Sequence, residues 1–232
     1  MGISRIIMKR SVNLSKTYLI ISAFVAVMAI GISSLSYILP DMPGEQIPID
    51  LQALFSVLFV GLGSMTAILV ATPVLLLFVY DKNNGVLEYL LSTGMNQSDL
   101  FRSYLEAALT LAGIALLAEA LGYTVLALYF GGGTALLPII LALTAVMGLS
   151  TVAFTTVLMM AFSSLQKQRV GANQPLGIGL GVMLVFPSLL IPQIFSSIAL
   201  NVVSINAAID AALALMAFLL AGRLVKREKL LP

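Results

Sequence analysis

Few side chains in this sequence could do chemistry, and most of them sit in apolar surroundings. Glu106 and Glu119 are acids embedded in hydrophobic runs. Glu106 follows Arg102 at the i,i+4 spacing of a helical ion pair near a membrane surface. Glu119 has no such neighbour and lies about 22 Å beyond Tyr104 at ~1.5 Å of helical rise per residue. A carboxyl at that depth must be paired, protonated or wet. It either lines a translocation path or subunit interface, or bonds to hydroxyls such as those of Thr144, Ser150 or Thr151. Catalysis by the chain itself is not expected. There is no His and no Cys, which excludes imidazole acid/base chemistry, imidazole metal sites and disulfides. An intramembrane hydrolase needs Ser with His or Lys, paired Asp, or metal-binding His, and none of these sets is present. No G-x-x-x-x-G-K-[ST] loop exists, and Gly131-Gly132-Gly133 has no Lys after it. No catalytic, cofactor-binding or metal residue is therefore assigned.

The composition says which solvent must surround these groups. Of 232 residues, 60% are hydrophobic and 9% charged, against roughly 25% charged in a soluble domain. The mean hydropathy is +1.07. A lipid bilayer, not nucleic acid, is the partner this composition implies. The expected fold is an all-α membrane protein with six spans in one transmembrane domain, 1–232. An interfacial helix covers 1–16, with Arg5, Lys9 and Lys16 toward headgroups and Ile3, Ile7 and Leu14 toward acyl chains; a plain topogenic basic flank is the alternative. Spans follow at 17–39, 51–79, 103–130, 134–162, 175–186 and 207–222. The first run is too long for a signal-peptide core of roughly 7–15 residues and reads as a retained helix.

Residues 176–206 would make a helix of about 46 Å, against a hydrocarbon core of about 30 Å. Pro187 and Pro192 interrupt them, so 187–205 reads as a re-entrant segment forming an outer gate, with Ser197 and Asn201 among its polar residues. A tilted, kinked helix is the alternative. With the N-terminus inside, all 12 Lys and Arg fall on the cytosolic side. The outer loops hold only acids: Asp41, Glu45, Asp50 and Asp210. That distribution follows the positive-inside rule and puts both termini in the cytosol of a plasma or inner membrane. Tyr18, Tyr37, Tyr80, Tyr104 and Tyr129 fall at span ends, where an aromatic belt belongs.

Between the second and third spans, residues 81–99 form the one polar segment with internal order. Gly85 permits a sharp turn. Val86, Leu87, Leu90 and Leu91 then recur on one helical face, with Glu88 and Ser92 elsewhere. Gly94 ends the piece, and Ser98 is the N-cap candidate for the next helix.

This segment resembles the corresponding part of ABC-2-type exporter permeases. The matching residues are Asp81-Lys82, Gly85, Leu87-Glu88-Tyr89-Leu90-Leu91, Ser92-Thr93 and Asp99-Leu100-Phe101. Gly94 stands where that family usually has Pro, and Tyr104 where it often has Lys. The resemblance implies that Gly85, Val86, Leu87, Glu88, Leu90 and Leu91 are a coupling helix docking on a separate ABC ATPase. Two ATPase copies would carry ATP and Mg, and a second permease copy or paralogue would complete the path. The cargo would be a hydrophobic or amphipathic peptide, lipid or drug. A haem or cofactor exporter and a non-transporting membrane scaffold are the alternatives.

Overall fold

A computed structural model describes residues 3–14, 16–38, 51–130, 136–161 and 199–224. They form α1 (Ile3–Leu14), α2 (Lys16–Ile38), α3 (Leu51–Asn83), α4 (Val86–Ser92), α5 (Gln97–Tyr129), α6 (Leu137–Ala161) and α7 (Ala199–Leu224). No strand occurs among the described residues. Five helices, α2, α3, α5, α6 and α7, are long and apolar enough to cross a membrane, the make-up of a multi-pass membrane protein. The expected span at 175–186 lies outside the described residues.

The central element is α3, buried along most of its apolar length between α2, α5 and α6. Small residues let these helices approach closely. A Cβ placed on Gly63 of α3 would lie 2.7 Å from Thr144 Cγ2 and 3.3 Å from Glu119 Oε1. The Thr144 hydroxyl donates to the Ile140 carbonyl at 2.8 Å, which pins that side chain. Gly63→Ala should therefore cost about 1–3 kcal/mol through overpacking. Gly113→Ala, where nothing lies within 4 Å, should be neutral or gain up to about 1 kcal/mol from helix propensity. Thermal unfolding of the two variants in detergent checks the contrast.

Helix direction follows from the contacts. Thr151 of α6 donates to Asp210 of α7 at 3.3 Å. Further along both helices, Val157 and Ala217 pack together with Phe101, from the start of α5. Hence α6 and α7 run parallel, and α6 ends at the opposite end of the bundle from where α7 begins.

Several expectations change. Residues 199–205, expected as the end of the re-entrant segment, form the first turns of α7; the rest of that segment, 187–198 with Ser197, lies outside the described residues. No Pro or Gly interrupts 199–221. Ser204 satisfies its hydroxyl on the Leu200 carbonyl at 2.8 Å within the helix, so such residues need no aqueous lining. Asp210 is not in an outer loop. It is 1% exposed inside α7, about three turns past the start of the helix. Tyr104 leaves the expected aromatic belt and is buried. Ile7 faces the protein core, not acyl chains, since α1 packs on α3 and α5.

Candidate functional site

The polar end of the bundle gathers α1, the last turn of α3, α4 and the first turns of α5. Asp81 ends the apolar stretch of α3 and is 1% exposed. Both terminal guanidinium nitrogens of Arg10 reach it: Nη2 donates to Oδ1 at 2.8 Å and Nη1 to Oδ2 at 3.1 Å. The Tyr104 hydroxyl donates to Oδ2 at 2.6 Å. A bidentate, charge-assisted arrangement of this kind is strong and fixes orientation. Phe78 holds the Tyr104 ring edge-on, with centroids 5.3 Å apart. One carboxylate thus ties α1, α3 and α5 together at the root of α4. Sequence reading missed this clamp. Arg10 and Asp81 are 71 residues apart, and no local pattern links them. The available signal was Tyr104, a donor standing where the resembled family often has Lys.

Beyond the clamp the chain turns at Gly85, whose φ of 71° lies in the left-handed region that favours Gly. The Tyr89 N–H closes the first turn of α4 on the Gly85 carbonyl at 3.0 Å. At the other end Gly94 has a φ of 91°. Its N–H donates to the Leu91 carbonyl, and the Met95 N–H to the Leu90 carbonyl, both at 3.3 Å. This pair of bonds is the Schellman closure. Met95 and Leu90 both pack on the core, the apolar contact that accompanies the motif. Gly in a left-handed cap here does a stopping job that Pro does by another route. The cap of α5 is Asn96, not Ser98, and it makes no side-chain capping bond.

Of the expected docking residues only Glu88 is exposed. Leu87 is 0% and Leu91 7% exposed, packed into this chain's own core, with Val86 and Leu90 half-buried. The apolar face expected to meet another protein is therefore already covered. Glu88, Tyr89 and Ser92 point outward, Tyr89 with 67% of its surface free. The Arg102–Glu106 pair forms as expected, at 3.0 Å and largely exposed.

Within the bundle Glu119 is 2% exposed, and neither carboxyl oxygen has a hydrogen-bond partner among the described residues. Thr144, one hydroxyl expected to bond it, donates to its own helix. Asn201 is exposed at the start of α7, so it does not share an interior lining with Glu119. Asp210 is a second buried acid, held by Thr151 on one oxygen and unpartnered on the other. No group of three metal-ligating side chains occurs among the described residues. Comparison with protein-family models, curated proteins and solved structures finds no match.

Proposed function

We propose that the chain is the transmembrane permease subunit of an ATP-driven ABC-type exporter. It sits in a plasma or inner membrane with α4 and both termini in the cytosol. ATP and Mg are held by a separate ATPase present in two copies. A second permease, identical or a paralogue, completes the path for a hydrophobic or amphipathic cargo. The observation that carries this reading is the mounting of α4: a seven-residue helix set between two candidate spans, stopped by a left-handed Gly at each end. The Arg10–Asp81–Tyr104 clamp lies at its base. A push on Tyr89 and Glu88 passes through the buried Leu87 and Leu91 into α3, so movement outside the membrane becomes tilt within it. The parallel run of α6 and α7 supports an even number of crossings, six with the expected span at 175–186, and hence both termini on one side.

The absence of native Cys makes the topology testable by single substitutions. An impermeant thiol reagent added to intact cells should label Glu45→Cys and leave Glu88→Cys untouched until the membrane is opened. Labelling of position 88 from outside contradicts the orientation.

A further inference from the structure

Glu119 lies in the floor of a cleft of about 350 Å³ between α2, α3 and α5, a volume in the range that holds small ligands; its oxygens are covered, with Oε1 beside Gly63, so a small side-chain rotation brings them to a ligand. Its walls are apolar, with Ala23, Ala26 and Ile30 from α2, Val70 from α3 and Ala118 from α5. Ala23, Val27 and Ala118 are exposed at its rim, on the surface that α2 and α5 turn toward lipid. The cleft therefore opens sideways into the bilayer.

Its polar groups are few and unbalanced. Ser22 donates to the Leu19 carbonyl at 2.8 Å and Thr66 to the Leu62 carbonyl at 3.1 Å. Both hydroxyls lining the cleft are thus engaged within their own helices. Glu119 is left as the one carboxyl in the lining; the Thr66 hydroxyl lies beside it but is aimed at Leu62, so neither oxygen completes a hydrogen bond. An intramembrane acid in this state is a functional-site candidate. It lacks N–H donors and positive charge, and the cleft lacks nothing else that an alkyl chain needs.

We infer that this cleft binds an amphiphile carrying a primary or secondary amine, whose ammonium N–H groups donate to Glu119 while its chain lies among the alanines. Charge complementarity selects the head, and the apolar walls select the tail. Depth selects a free amphiphile over a bilayer phospholipid. Glu119 lies about 15 Å from the Tyr129 end of α5 at ~1.5 Å per residue, close to the middle of a hydrocarbon core about 30 Å thick. A phospholipid headgroup anchored at the interface does not reach it. The inference rests on the exporter reading for its biological meaning, since it names the cargo class. Binding itself requires no ATPase.

The test uses the full chain in phosphatidylcholine nanodiscs, without ATPase, with radiolabelled dodecylammonium as probe and methyl dodecanoate as a donor-free control of the same chain length. Wild type should bind dodecylammonium saturably, and Glu119→Gln should weaken it roughly tenfold or more. Ala118→Leu, which narrows the mouth from a lipid-exposed position, should weaken it similarly. Glu106→Gln, at an exposed acid, should not. Equal binding by wild type and both cleft variants overturns the inference, as does equal binding of methyl dodecanoate. Loss of dodecylammonium binding in phosphatidylethanolamine nanodiscs would assign the site to a lipid headgroup and also overturn it. Should Glu119→Gln fail to fold, Ala118→Leu decides alone. Absence of dodecylammonium binding with an ATPase still attached to α4 sinks this inference and leaves the exporter reading standing. Saturable dodecylammonium binding by a chain that recruits no ATPase in its native membrane does the reverse.

Discussion

Asp81→Ala should lower the unfolding free energy by about 2–3 kcal/mol, from the charge-assisted bonds lost and a buried hydroxyl left unpaired. The substitution strands the Tyr104 hydroxyl, which is buried with its ring, and releases the Arg10 guanidinium. Arg10 is 44% exposed and finds water, so most of the loss comes from the interior side. Asp81→Asn keeps the shape and one acceptor, and should cost about 1–2 kcal/mol. Arg10→Lys retains the charge but loses the two-pronged geometry, so it should fall between wild type and Asp81→Ala. Denaturant titration in mixed micelles gives the ranking. Limited proteolysis gives the mechanism: α1 should become cleavable in Asp81→Ala before the rest of the bundle opens. An unchanged cleavage pattern would mean that α1 is held by its apolar face alone.

The second large effect separates the two faces of α4. Leu87→Asp should destabilise the protein by about 3 kcal/mol or more, because it places a charge at a site with no exposure. Tyr89→Ala should change stability by less than about 0.5 kcal/mol, as expected for an exposed side chain. Yet it should weaken attachment of the ATPase by about 2 kcal/mol, roughly thirtyfold, if Tyr89 is the aromatic anchor of that interface. Unfolding and co-purification measured on the same two variants should therefore rank them in opposite order. If Leu87→Asp folds normally and only attachment fails, the apolar face is the docking face and its burial against this chain is not its working state.

Much of the helical layout was legible because lipid demands long apolar runs, and the five candidate membrane helices contain the runs expected for them. Their ends were less legible. Helices α3 and α5 continue into polar sequence, since backbone bonding does not stop where hydropathy does. Within α4 the period of Leu87 and Leu91 announced an apolar face correctly but could not say what covers it. An amphipathic helix reads the same whether its partner is its own chain or another. Pro187 and Pro192 signalled interruption, yet the new helix begins by Ala199, and Asn201 and Ser204 sit inside it because a helix accommodates isolated polar side chains. Asp210 was misplaced because a lone acid near an apolar run looks like a loop residue until Thr151 of a different helix is seen beside it. The Arg10–Asp81–Tyr104 clamp was invisible for the same reason: its members are local to nothing but the folded bundle.

The exporter reading is tested most directly by a photo-crosslinking residue at position 89, the outward tip of α4, in native membranes. The account predicts a single dominant adduct to a nucleotide-hydrolysing polypeptide, lost when Glu88 and Ser92 are replaced by bulky residues and altered in yield when ATP is trapped. An efficient adduct to a protein without nucleotide-hydrolysing activity, or none at all while position 89 stays reachable by a thiol reagent from the cytosolic side, would contradict it.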